Sequence, residues 1–233
     1  VGASGWSTFE AMRRTPEGHV WALPGTEEGV RTLRDWTRSR PELERPVVLA
    51  RPRGPLLPVL REEAQRRYQD ADLLFDVVLA IGQRDDAGTA AWLEGLPGLV
   101  APGGRLIVLD PVRGAGQRLH ELVRDDLDAD LHANLEVAET RLAGDEVELR
   151  ERALAEGVER AGFQIERRVE VHLEVVRQIK PAVVARWFQH GSRLAGALGE
   201  LGVDEMNLRQ LERVLARRLS SGVPWRSRWL ALW

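Results

Sequence analysis

The chain has 233 residues, 43% hydrophobic and 30% charged, enough for one sizeable α/β domain with insertions. A formal charge of −3 gives no long-range attraction to nucleic acid or an anionic membrane, and the absence of cysteine excludes disulfides, thiolate metal sites and thiol nucleophiles. No window approaches the roughly 18 consecutive apolar residues of a membrane-spanning helix, and the first residues lack the charged-then-apolar order of a secretion signal. A cytoplasmic protein with neither a membrane nor a nucleic-acid partner is therefore expected.

Ser7, with Glu10 three positions on, is placed to cap a helix that buries Phe9, Met12 and Trp6, making residues 1–18 an N-terminal helical segment closed by Pro16-Glu17-Gly18. His19–Leu23 (HVWAL) reads as a first strand, followed by PGTEEG and a helix from Val30 to Arg38. Pro46–Ala50 (PVVLA) reads as a second strand, Pro55–Arg67 as a helix, and Tyr68–Asp72 as a short third strand with an acidic turn. Next come an apolar run, Phe75–Ile81, a segment of helical spacing, Gly88–Leu99, a Pro102-Gly103-Gly104 turn and a second apolar run, Arg105–Leu109, closed by Asp110 and Pro111. Neither run alternates, as expected of strands covered on both faces. Such strands lie side by side and parallel, with the crossover helix on one face. The segments 19–23, 46–50, 75–81 and 105–109 are thus expected to form neighbouring parallel strands whose tips share one pocket.

FDVVLA, the helix with Trp92 and Leu96, and LVAPGGRLIVLDP together resemble the fourth and fifth strands of class I S-adenosylmethionine-dependent methyltransferases. That resemblance implies a doubly wound, Rossmann-like, seven-stranded and mostly parallel sheet with an antiparallel last strand and helical insertions, covering residues 1–233 as a single domain. It also implies S-adenosylmethionine as cofactor, bound at the carboxyl ends of the strands, and methyl transfer to a small-molecule substrate. In that family the first strand ends in a carboxylate and a glycine-rich turn that lets the cofactor approach the backbone. Gly25, Thr26 and Gly29 fit the turn, but Leu23 and Glu27 stand where two glycines are usual, and Trp21 or Ala22 stands where the carboxylate is expected. A second register, with the turn at residues 2–6 and HVWALP as the second strand, stays open. Arg51 occupies the position of the ribose-binding carboxylate, and a guanidinium has no acceptor for ribose hydroxyls. Arg51 and Arg53 read either as solvated loop residues or as an anion site. Asp70 is the adenine-side candidate or a turn aspartate, and Ala80 at the end of FDVVLA completes the implied contacts. The following IGQRDD lacks the Asn/Asp-Pro-Pro-aromatic signature of enzymes that methylate nucleobase or glutamine amides.

Residues 113–145 form a first helical insertion, in which Leu119, Leu122, Val123, Leu127, Leu131 and Leu135 have the spacing of an apolar stripe expected to cover the ligand face. Asp126, Asp128, Asp130 and His132 do not read as a metal site, because alternate residues of a helix face different ways. Glu146–Gly162 reads as a helix stopped by Gly162. Phe163–Ile179 turns β-like, with Val169, Val171, Leu173 and Val175 on one face and Glu170, His172 and Glu174 on the other. His172 is thereby either a carboxylate-flanked base or part of an exposed strand face. Residues 181–221 read as two antiparallel helices, serving as a cap over the ligand cleft or as a homodimer contact. The final strand, Trp225–Trp233, sets Trp225, Trp229 and Trp233 on one face for burial rather than base stacking. His120 and His190 are the candidate bases. Two functions remain open: a methyltransferase with degenerate cofactor contacts, or a pseudo-methyltransferase that acts as a partner subunit or binds an anionic ligand near Arg51 and Arg53.

Overall fold

A computed structural model describes residues 5–50, 55–69, 72–82, 93, 95–112, 115–144 and 146–233, with the side chains of 146–150 set aside. The chain divides into two compact units, Val1–Asp76 with Arg84–Gly104, and Val77–Gln83 with Arg105–Trp233.

In the first unit, helix α1 (Trp6–Arg14) starts from Gly5, which takes a left-handed φ of 65° and caps without a side chain. Ser7 therefore lies inside the helix rather than ahead of it. A Cβ at Gly5 would meet Leu33 Cδ2 at 2.6 Å, so both backbone angle and space call for glycine there. Trp6, expected to be buried, is 77% exposed, while Phe9 stacks on Trp36 at 5.9 Å and packs on the cluster of Ala22, Val30, Leu33 and Val48. Strand β1 (Trp21–Ala22) pairs in parallel with β2 (Val47–Val48) through Val47 N to Val20 O, 2.8 Å, and Leu49 N to Ala22 O, 3.0 Å. Helix α2 (Glu27–Thr37) connects them and buries Val30 and Leu33 against them. Helix α3 (Leu56–Tyr68) buries Leu60 and Ala64 and ends at Gln69, whose φ of 58° breaks the helical path. Tyr68 thus closes a helix instead of opening a third strand, and its ring turns to His19 at 5.2 Å and Trp21 at 6.3 Å.

Strand β3 (Phe75–Ile81) lies beside β4 (Val100–Pro111). Phe75 N donates to Leu99 O (2.7 Å) at one end and Gly82 N to Leu109 O (2.8 Å) at the other, so the two run parallel as expected. The crossover helix expected at 88–99 falls largely outside the described residues, and the part at 95–99 is a run of turns. Pro102-Gly103-Gly104 is not a turn ahead of the strand but part of it. Gly103 has φ 77°, and a Cβ on Gly104 would stand 2.8 Å from Ala101 O, so these glycines let an irregular strand start pass close to Phe75. Among the described residues the two faces of β3 differ: Ala80 is 2% exposed, whereas Val77 and Leu79 on the opposite face are 54% and 47% exposed.

In the second unit, β5 (Arg168–Arg177) and β6 (Val223–Leu232) complete a sheet of order β3-β4-β6-β5. β6 is antiparallel to both neighbours, Val108 facing Leu232 on one side and Arg168 facing Leu232 on the other. The antiparallel last strand is thus present. The single seven-stranded sheet is not: the described residues hold six strands in two sheets, with 21–22 and 47–48 apart from 75–81 and 100–111. Part of the reason is local. β1 and β2 are two residues long, and the Arg34 guanidinium takes Val48 O at 2.9 Å, spending on a side chain an acceptor at the end of β2.

Helices α4 (Leu119–Leu122), α5 (Ala129–Ala143), α6 (Glu146–Arg160), α7 (Pro181–Phe188), α8 (Arg193–Glu200) and α9 (Glu205–Ser220) build the rest. Residues 181–221 hold three helices rather than two, because Ser192 and Asp204 each cap a new start, accepting from Ala195 N at 3.2 Å and Asn207 N at 2.8 Å. Their stripes, with Val184, Leu211, Leu215 and Leu219 at 0%, close on Val123 and Leu135 of the 113–145 insertion in one core. The stripes left open between a cap and a dimer contact thus pack against one another within this chain, Trp187, Leu208 and Val214 only in part. Asp128, from the acidic run, caps α5 by accepting from Leu131 N at 2.8 Å. Gly162, φ 87°, stops α6 as expected.

Leu211→Ala empties the centre of this core and is expected to cost about 2–5 kcal/mol in urea unfolding. The Glu63 carboxyl is held down to about 2 by hydrogen bonds from Arg66 and Arg67, at 2.6 Å and 2.5 Å. A depressed folded value means that this stabilisation is present above about 4.5 and lost as pH falls toward 2. Glu63→Gln is expected to flatten the fall in stability over that window, read as unfolding midpoint against pH.

Candidate functional site

The turn after β1 carries the positions that the resemblance assigns to the cofactor. Gly25 is exposed, and a Cβ there would meet nothing within 4 Å, so the chain's own packing leaves the backbone approachable at this point. Thr26 is the N-cap of α2, extended at φ −139° and ψ 149°, with Oγ1 accepting from Gly29 N at 3.1 Å and its carbonyl from Val30 N at 3.1 Å. Gly29 is buried in the helix's first turn. The three residues are brought together, but by a helix cap that already uses the Thr26 hydroxyl.

The side chains around this turn match the cofactor less well than its backbone. Ala22 is 8% exposed inside the apolar cluster of Val30, Leu33 and Val48, and Trp21 packs its ring on Tyr68 and, edge-on at 5.9 Å, on Phe75. Neither supplies the acceptor oxygens that ribose or amino groups require. Glu27 and Glu28 in the first turn of α2 place two carboxylates at the positive end of the helix dipole, the position an anionic group of a ligand would otherwise favour. Arg51, Arg53 and Asp70 lie outside the described residues, as do residues 2–4 of the alternative turn at 2–6, whose Gly5 and Trp6 instead open helix α1. Ala80 is buried near the end of β3.

The candidate bases belong to the second unit. His120, its side chain 13% exposed, faces Glu139 with Nδ1 2.7 Å from Oε2. The same carboxylate accepts the backbone N–H groups of Leu119 at 2.7 Å and His120 at 2.9 Å, while Arg118 reaches Glu139 O at 3.1 Å. His132 points Nε2 at His120 O, 3.2 Å away, its ring edge-on to His120 at 5.7 Å. Glu139, twenty residues downstream, thus caps the start of the short helix α4, and His120 completes that cap. No local spacing links positions 119 and 139, so sequence reasoning had no signal for this carboxylate, nor for Arg34 on Val48. His190 is exposed in the turn between α7 and α8, far in sequence from any of these groups. His172 is 73% exposed on β5, its Nε2 3.8 Å from Glu170 Oε2, which is the solvated strand face rather than an enclosed base. Glu170 itself is held below the usual carboxylate range by its hydrogen bond from Arg228.

No family model matches the chain, and no curated protein matches it. Among solved structures it is similar to the cyclopropane synthase MmaA2 of Mycobacterium tuberculosis, at 15% identity and TM-score 0.45, covering 100% of this chain and 75% of that one. A Bacillus halodurans protein provisionally described as a methyltransferase matches at 12% identity and TM-score 0.47 over 98% of this chain and 88% of its own. The [4+2]-cyclase SpnF matches at 13% identity and TM-score 0.39, covering 97% and 71%. The fold itself rests on the chain's own strand order: a mixed α/β sheet whose last strand enters antiparallel between β4 and β5.

Glu139→Ala leaves two backbone donors and an imidazole without their shared acceptor and is expected to cost about 1–3 kcal/mol in urea unfolding. His120→Ala keeps the carboxylate on both backbone donors, so it should cost less; an equal or larger loss would contradict a capping role for Glu139.

Proposed function

We propose that this chain is a methyltransferase-like protein that binds S-adenosylmethionine through divergent contacts at the turn Gly25, Thr26 and Gly29, and transfers a methyl group to a small molecule. The observation that supports the reading best is the strand order. The parallel pair β3 and β4 carries FDVVLA and LVAPGGRLIVLDP, and the chain's final strand enters antiparallel beyond it, as the resemblance implies. The open backbone at Gly25 adds to it. Methyl transfer asks mainly for alignment of donor and acceptor, so the lack of a dedicated catalytic group beside the turn among the described residues is compatible with it.

A second reading is favoured by the apolar packing of Ala22 and the paired carboxylates Glu27 and Glu28. In that reading the fold has lost the cofactor and serves as a partner subunit or binds an anionic ligand near Arg51 and Arg53. Isothermal titration separates the two. Micromolar affinity for S-adenosylmethionine and S-adenosylhomocysteine is expected from the first, and silence at millimolar concentration would overturn it in favour of the second. Glu27→Gly combined with Arg51→Asp should tighten binding if the turn lies at 25–29.

A further inference from the structure

The most unusual surface of the second unit is the outer edge of β5. Among the described residues β6 is its one strand neighbour, which leaves the other side of a ten-residue strand unpaired. Proteins blunt such edges with charged side chains, lysine above all, with proline, with bulges or with short strands. Between Arg168 and Arg177 there is no proline, lysine or glycine, and Leu173, Val175 and Val176 are 45%, 49% and 79% exposed.

Backbone geometry fixes which residues could accept another strand. Arg167 and Trp233 exchange both hydrogen bonds, at 2.8 Å and 3.1 Å, so they form a hydrogen-bonded pair. Alternation along the register then turns the backbone groups of residues 169, 171, 173 and 175 toward β6, and those of Arg168, Glu170, His172 and Glu174 toward the open edge. These four side chains share one face, and two of them already have partners within the chain, Arg168 on Glu151 and Glu170 on Arg228.

We propose that this edge pairs antiparallel with the same edge of a second copy of the chain, about a two-fold axis at Val171. In that register Arg168 stands opposite Glu174 of the second copy and Glu170 opposite His172. Val169 stands opposite Leu173, and Val171 meets itself. Every cross-strand pair in the segment is then of opposite charge, of carboxylate with imidazole, or apolar, the combinations that stabilise neighbouring strands. The adjacent in-phase registers are worse. Sliding by two residues one way sets Glu170 against itself, and the other way sets Glu170 against Glu174, placing like charges directly opposite. Of these three registers only the one centred on Val171 keeps like charges from facing each other, and a two-fold axis uses the same patch on both copies. Leu173, exposed on the other face, gains Val169 of the second copy as an apolar neighbour in the same step.

The test uses the full chain, which has no cysteine of its own. Sedimentation equilibrium is expected to give twice the 26.1 kDa chain mass. Val171→Cys places two thiols across a non-hydrogen-bonded pair, about 4.5 Å between Cα atoms and within the disulfide range, so mild oxidation should cross-link it into a dimer. Leu173→Cys puts its thiols about 14 Å apart in the same register, four residues along each strand, and should stay uncross-linked. Glu174→Arg, at an exposed position whose backbone is not used by β6, sets arginine against Arg168 of the second copy and should weaken dimerisation at least tenfold while circular dichroism stays unchanged. A monomeric wild-type chain, or cross-linking of Leu173→Cys as complete as that of Val171→Cys, would overturn the proposal.

Discussion

The last strand has to satisfy hydrogen bonds on both of its sides, and much of the second unit follows from that demand. Trp229–Leu232 is paired with β4 on one side and β5 on the other, so every peptide group there is committed. Leu230 and Leu232 are 1% exposed in consequence. Beyond Trp229 the ladder toward β4 runs out, and loop backbone replaces it: Val112 N reaches Arg228 O at 2.9 Å and Gln117 N reaches Arg226 O at 2.7 Å. A Cβ on Gly116 would lie 2.8 Å from Arg226 O, so this close passage needs glycine. Val112, Gly116 and Gln117 therefore lie against β6 ahead of α4.

From that turn onward the fold is a matter of apolar stripes finding one another. Helices α4, α5, α7, α8 and α9 each bring a narrow row of Leu, Val or Phe, and none could stand alone, since isolated helices of four to sixteen residues are marginal in water. Packed together they make one apolar core from Leu119 to Val223. The polar cost of joining them is met at the ends: Asp128, Ser192 and Asp204 cap their own helices, and Glu139 caps α4 from a distance.

The cofactor turn and the histidines show where local reading fails. Gly25, Thr26 and Gly29 have the spacing of a ligand turn and also that of a capped helix start. The hydroxyl that would decide between them is bonded to Gly29 N. His120 looks like a free base in the sequence, yet it and His132 are both tied to the backbone around α4 through Glu139 and His120 O. Such partners lie many residues away, and neither charge pattern nor periodicity encodes which carboxylate will arrive.

Sequence alone determined what depends on near neighbours along the chain. The parallel pair within 75–109, the stop at Gly162, the β character of 168–177 and the helical nature of both insertions are set by turn chemistry and by residue periods of 2 and 3.6, which act over a few positions. Tertiary structure decided what depends on competition between distant groups. It separated the strands at 21–22 and 47–48 into a pair of their own, with Arg34 taking a carbonyl at the end of β2. It also drew Pro102-Gly103-Gly104 into a strand and turned stripes that could have met a second molecule onto one another. An apolar face or an open carbonyl specifies that a partner is needed, and only the folded chain supplies which one.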